Sequence, residues 1–231
     1  MGSEIVNIII ADDHHLFRTG IVGIISNISD FRLLAEATDG DDLIKKYFQL
    51  NPDVVISDIA MPSVSGFEAY KEIKKTDPRC KFLFLSMYES PEYIHYTLKI
   101  GGKGLIGKNV NQQELIYAIR QIAKGKQYFG EEWPEEKLKT LDDKFRNLAD
   151  GKIDPNIVLT PKEKEILYFI SEGYTSSEIG EKINVSKRTI DTHRVNLMKK
   201  TKSNSLSQLI AFSIKFMSVT DFKVDEDEDE D

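Results

Sequence analysis

At 231 residues the chain has room for two domains of ordinary size. With 40% hydrophobic and 30% charged residues and only 14 Gly and 7 Pro, it is excluded from the fibrous and wholly disordered classes. The net charge of −7 hides an asymmetry: residues 1–124 and 125–155 carry −2 each, 156–220 carry +4, and 221–231 carry −7. The basic third segment is therefore the candidate for nucleic-acid contact. The single cysteine, Cys80, excludes an intrachain disulfide and reads as a strand-edge thiol. No leader is read in residues 1–25 and no run approaches the ~18 apolar residues of a membrane span, so a cytoplasmic protein with no membrane partner is expected.

From the start of the chain, apolar runs alternate with amphipathic stretches, the pattern of a parallel sheet covered on both faces. Strands are expected over 5–10, 31–35, 54–57 and 82–86, with a short fifth at Leu105-Ile106. Helices are expected near 15–27, 41–50, 66–75, 91–100 and 112–124, with Asn51-Pro52, Asp77-Pro78 and Gly101-Gly102 as breakers. The predicted first domain, 1–124, is thus α/β and doubly wound, with a five-stranded parallel sheet. Residues 125–155 read as a linker holding one amphipathic helix marked by Leu138, Leu141, Phe145 and Leu148. Residues 156–220 show no strand, only four short helices punctuated by Gly173, Asn184 and Ser203-Asn204. The acidic run within 221–231 cannot pack and is expected to be disordered.

In a doubly wound sheet the chemistry lies outside the carboxyl ends of the strands. Asp12 and Asp13 follow the first strand, Asp58 the third, Ser86 ends the fourth and Lys108 follows the fifth, so all five converge on one edge. Three carboxylates crowded together repel unless a cation offsets them, and oxygen ligands suit Mg²⁺. One carboxylate can then take a phosphoryl group as nucleophile, while the metal and Lys108 balance the charge on its oxygens. Ser86 is placed to hydrogen-bond a phosphoryl oxygen.

Asp12-Asp13, Asp58-Ile-Ala-Met-Pro-Ser-Val-Ser-Gly66, Ser86 and Lys108 together resemble the CheY-like receiver of a response regulator, over roughly residues 4–124. The resemblance implies strand order 2-1-3-4-5 and phosphotransfer from a histidine kinase to Asp58. It also implies Mg²⁺ held by Asp13, Asp58 and the Ala60 backbone carbonyl with Asp12 nearby, and Ser86 and Lys108 as switch and phosphate partners. Leu105 stands where such receivers usually place a rotating Tyr or Phe, a departure that puts aromatic gating in doubt. Readout would then pass through Ser86 and the segment 87–91.

In the third segment, Thr160-Pro161 with Glu163 opens a helix with a capping box, and Gly173 closes it. A second helix points Ile179 and Ile183 inward. A third, capped by Ser186, has an inward face of Ile190 and Leu197, joined by Val195 or Met198. Its other face is basic, with Lys187, Arg188, Arg194, Lys199, Lys200 and Lys202 against Asp191, and Thr189, Thr192, His193 and Asn196 supply hydrogen bonds. Two short helices joined by a tight turn, the second cationic, match a recognition helix for the major groove of duplex DNA.

Leu159-Thr-Pro-Lys-Glu163, Gly173-Tyr-Thr-Ser-Ser-Glu-Ile179 and Val185-Ser-Lys-Arg-Thr-Ile-Asp-Thr-His-Arg194 resemble the LuxR-type DNA-binding domain, so with the receiver the chain resembles the NarL/FixJ class. The resemblance implies that Lys187, Arg188, Thr189, Thr192, Arg194 and Lys199 face DNA and that Glu163 makes internal ion pairs. It further implies that a final helix over 205–216 contributes to a homodimer formed on phosphorylation. Asp191 sits where a base-facing Lys or Glu is common, and a carboxylate there accepts from cytosine N4 or excludes other bases.

Two other readings remain open. An aspartyl-nucleophile phosphatase would want an Asp-x-Asp pair and a cap domain, which this sequence lacks. A receiver-like DNA binder answering to a partner or ligand without phosphorylation is the second. Separately, the seven carboxylates of 225–231 could compete with DNA for the basic helix.

Overall fold

The computed structural model describes residues 5–87, 91–141 and 157–220. These fall into two compact units, one on either side of the junction between residues 145 and 146.

The first unit is built on β1 (Val6–Ala11), β2 (Phe31–Ala37), β3 (Val54–Asp58), β4 (Phe82–Ser86) and β5 (Gly104–Gly107). All pairings are parallel, and the sheet order is β2-β1-β3-β4-β5. Between the strands run α1 (His15–Ser26), α2 (Gly40–Leu50), α3 (Gly66–Thr76), α4 (Pro91–Lys99) and α5 (Gln112–Ala123). Every residue of β3 and β4 is buried, which is why they open as continuous apolar runs, Val54 to Ile56 and Phe82 to Leu85, rather than alternating with polar residues, and turn polar only at their C-terminal ends.

The two faces of the sheet are filled differently. On one, Ile8, Ile10, Val54, Ile56, Leu83, Leu85 and Ile106 pack against Ile21 and Ile25 of α1 and Leu115, Ile119 and Ile122 of α5, an aliphatic layer. On the other, Phe82 and Phe84 meet Tyr47 of α2 and Tyr70 and Phe67 of α3, with ring centroids 4.8 to 6.4 Å apart. Leu105 pairs with Phe84 across the β4–β5 ladder and is buried, so it shares this aromatic face.

The expected boundary at residue 124 does not end the packed unit. Tyr128 exchanges backbone hydrogen bonds with Lys103 and Leu105 beside β5, and its hydroxyl donates to Glu114 of α5. Phe129 is buried, and α6, helical from 135 and described as far as 141, buries Leu138 and Leu141. The edge of β5 recruits this segment because its backbone groups would otherwise lack partners. The expected helix positions Phe145 and Leu148 lie outside the described residues, as do 88–90 of the expected readout segment and the acidic run in 221–231.

The second unit is four helices: α7 (Pro161–Ser171), α8 (Ser176–Lys182), α9 (Lys187–Lys200) and α10 (Leu206–Val219). Capping boxes Thr160/Glu163 and Thr175/Glu178 start α7 and α8, and Ser186 and Ser205 cap α9 and α10. Gly173, at φ 94°, closes α7 in the left-handed region. Gly180 lets the α8–α9 turn close, since a Cβ there would lie 2.6 Å from the Val185 carbonyl oxygen. Ile166, Leu167, Ile170, Ile179, Ile190, Leu197 and Leu209 form the core.

Candidate functional site

Each strand end delivers one piece of an acidic pocket. Asp12 leaves β1 with its backbone N–H bonded to Ala37 at the end of β2, and its side chain accepts from the backbone N–H of His14 at 2.8 Å. Asp58 is the last residue of β3, Ser86 the last of β4, and Lys108 follows β5 with its backbone N–H on the Ser86 carbonyl at 2.8 Å. Gly66 opens α3 against this corner, and a Cβ there would lie 1.9 Å from the Asp58 carbonyl oxygen, so only glycine permits the approach.

Lys108 Nζ donates to Asp58 Oδ2 at 2.6 Å and stands 2.9 Å from Asp12 Oδ2. The ring of Phe17 flanks the ammonium at 5.0 Å. Asp12 is fully buried, Asp58 is 4% exposed and the Lys108 side chain 6%. Burial pushes the Asp58 carboxyl up to about 7, opposed by Lys108 and reinforced by Asp12 and Asp13. Burial alone would lower the Lys108 ammonium, but Asp58 and Asp12 outweigh it and hold its pKa up, so the ammonium stays charged.

The sequence reading missed His14. As the N-cap residue of α1 it sets Nδ1 2.9 Å from Asp13 Oδ1 and 3.3 Å from Asp12 Oδ1. The signal was its adjacency to Asp13. Ligand atoms of Asp12, Asp13, His14 and Asp58 lie within 4.8 Å of one another. Asp12 Oδ2 and Asp13 Oδ1 are buried carboxylate oxygens with no aligned hydrogen bond, although Lys108 and His14 approach them to 2.9 Å. Three carboxylates against one ammonium leave two negative charges, and the unsatisfied atoms are hard oxygens, so the donor set fits a divalent cation of the Mg²⁺ kind.

In the second unit the buried stripe of α9 is Ile190 and Leu197, with Met198 half-buried. Lys187, Arg188, Thr189, Asp191, Thr192 and Lys199 are exposed. Three expectations need correcting. Val195 does not face the core but is 51% exposed, because about 100° per residue carries it to the side opposite Ile190 and Leu197. Arg194 is half-buried and its guanidinium donates to the Tyr174 carbonyl at 2.8 Å, tying α9 to the α7–α8 turn instead of standing clear of the domain. Lys200 leaves the cationic face to pair with Glu163 at 2.8 Å, so Glu163 makes the internal ion pair expected of it.

The comparisons with known proteins agree with both units. The response regulator receiver domain model matches residues 8–120, and the model of bacterial regulatory proteins of the LuxR family matches 157–213. The oxygen regulatory protein NreC of Staphylococcus carnosus is 34% identical over 211 residues, covering 91% of this chain and 97% of the relative. Among solved structures, the RcsB–DNA complex is 27% identical with a TM-score of 0.56 and covers 91% of this chain and 99% of that one. RcsB of Salmonella enterica serovar Typhimurium, bound to the P1flhDC promoter with the phosphomimetic BeF3⁻, is 28% identical with a TM-score of 0.55 and covers 90% and 98%. Strand order, paired domains and full-length relatives agree, and the chain belongs to the NarL/FixJ class of two-component response regulators, DNA-binding transcription regulators and not enzymes.

Proposed function

We propose that Asp58 is the phosphoacceptor and that a histidine kinase is the donor. The observation that carries this is the Lys108 ammonium 2.6 Å from an otherwise buried Asp58 carboxylate at the C-terminal ends of the strands. A carboxylate oxygen forms the new P–O bond as the P–N bond of the donor phosphohistidine breaks, and the electron pair leaves with the imidazole nitrogen. Lys108, already charged, offsets the anionic phosphoryl oxygens, and Ser86 supplies a hydroxyl donor. Asp13, Asp58 and the Ala60 carbonyl, with Asp12 nearby, would hold Mg²⁺, which supplies charge neutralisation during transfer. The aspartyl phosphate favours a homodimer to which α10 contributes, so that two copies of α9 engage two half-sites of duplex DNA. The contacts assigned to DNA are Lys187, Arg188, Thr189, Asp191, Thr192 and Lys199. Among the described residues no helix is long and apolar enough to cross a membrane, in keeping with action in the cytoplasm.

Incubation with a phosphohistidine donor and Mg²⁺ tests the reading. A hydroxylamine-sensitive adduct on the peptide containing Asp58 is expected. An unlabelled chain that still binds its operator would favour the alternative, regulation by a partner or ligand without phosphorylation.

A further inference from the structure

We propose that Val195 is a specificity-determining residue that reads the C5-methyl group of a thymine in the major groove; the inference rests on α9 being the recognition helix. Arg188, Val195 and Lys199 project within about 40° of one line along α9, given about 100° per residue. That line is opposite the buried Ile190 and Leu197. Val195 is therefore in the middle of the outward arc, with Thr192 and Asp191 on its two sides, all exposed. The other large exposed apolar residues described in this unit, Val158 and Val219, flank its first helix and end its last. A β-branched residue gains nothing for an exposed helix face, where its propensity is below that of Ala, Lys or Glu.

The major groove is about 12 Å wide and a helix with its side chains about 10–12 Å across, and a straight helix leaves the curving groove at its ends. Residues at the edges of the outward arc or in the last turn, such as Lys199, therefore meet phosphates, while those in the middle of the arc and away from that end meet base edges. A valine there has no donor or acceptor. Against N7, O6, O4 or an exocyclic amine it would strip water and return no hydrogen bond, which costs affinity. The thymine methyl is the one base-edge group that an aliphatic side chain complements. Val195 thus both selects thymine and penalises the other three bases at one position of each half-site.

The test uses the full chain. After selection of a binding site from a random duplex pool, each thymine is replaced singly by uracil, which lacks only the methyl group. Binding of the native chain and of Val195→Ala is then compared. At one thymine of a half-site, uracil is expected to weaken native binding about 4-fold, the factor one buried methyl supplies, and to leave Val195→Ala nearly unaffected. Because Val195 is exposed, Val195→Ala should keep the native melting temperature. The inference is overturned if uracil is neutral at every thymine, or if Val195→Ala discriminates as the native chain does. Arg188→Ala separates the two layers of the argument: unchanged DNA affinity there would remove α9 as the reading helix, and Val195 with it.

Discussion

The acidic pocket and the outward face of α9 are both made of charged side chains, but they differ in what surrounds the charge. In the pocket, Asp12, Asp58 and Lys108 are almost sealed from water, so each charge is felt at full strength by its neighbours and perturbs their proton affinity. On α9, Lys187, Arg188 and Lys199 stand in solvent, where pairwise attraction is weak and salt screens it. Burial suits chemistry at one atom, and exposure suits the summed attraction of a polyanion. The same contrast says which experiments should be sensitive to salt and which should not.

The largest effect is expected at the sealed end. Asp58→Asn keeps the shape of the side chain, removes the nucleophilic oxygen, and should abolish phosphoryl uptake read as the mass of one added phosphoryl group. Because it also removes a buried charge that Lys108 only partly offsets, the fold should survive, and a circular dichroism melt checks this. Stoichiometric labelling of Asp58→Asn would show that a different group is the acceptor. Next in size, Asp13→Asn should weaken Mg²⁺ binding by roughly 10- to 100-fold, measured by calorimetry, if the anionic oxygen it deletes is the ligand proposed for it. Raising the concentration of NaCl should change that affinity far less than it changes DNA binding.

At the exposed end the effect is smaller per residue and has a different signature. Lys199→Ala should reduce the slope of log affinity against log salt by about 0.9, the contribution of one neutralised phosphate. Lys187→Ala should do the same. Arg194→Ala breaks the parallel. Its guanidinium holds the Tyr174 carbonyl, so the variant should lose about 1.5–3 kcal/mol of stability in denaturant titration. A salt slope reduced as much as in Lys199→Ala, with unchanged stability, would return Arg194 to the DNA contacts.

Arg194 and Val195 also mark how far the sequence could be read. The strands were legible because fully buried parallel strands are unbroken apolar runs, and the pocket because its five residues stand at the ends of those runs. Capping at Thr160/Glu163 and Ser186 was legible because a helix start is a local event. What a residue meets across the fold was not. The charge of Arg194 suggested solvent and the apolarity of Val195 suggested core, yet helical phase sends each the other way. The docking of Tyr128 on β5 likewise depends on an edge whose position the local sequence does not state. The division of the sheet into an aliphatic and an aromatic face was present in the Phe82-Leu83-Phe84-Leu85 alternation of β4, but became meaningful only once α3 brought Phe67 and Tyr70 above Phe82 and Phe84.

The smallest expected effect tests whether a half-sealed charge behaves like either extreme. Glu163 is buried while its partner Lys200 is largely exposed. Burial raises the Glu163 carboxyl, but the Lys200 ammonium and the Thr160 backbone N–H outweigh it, so its pKa is held below the ordinary glutamate value. A depressed folded-state pKa means stability that is present above the unfolded value and lost as pH falls through the folded one. Glu163→Gln keeps a side-chain oxygen for the capping box while removing the charge. Near neutral pH it should cost only about 0.2–1 kcal/mol, in the range of an ion pair with one exposed partner. On the acid side of the glutamate range its stability should converge with that of the native chain, because protonation has by then removed the same charge. A constant gap between the two pH profiles would mean that shape at the helix start, and not the ion pair, is what Glu163 contributes.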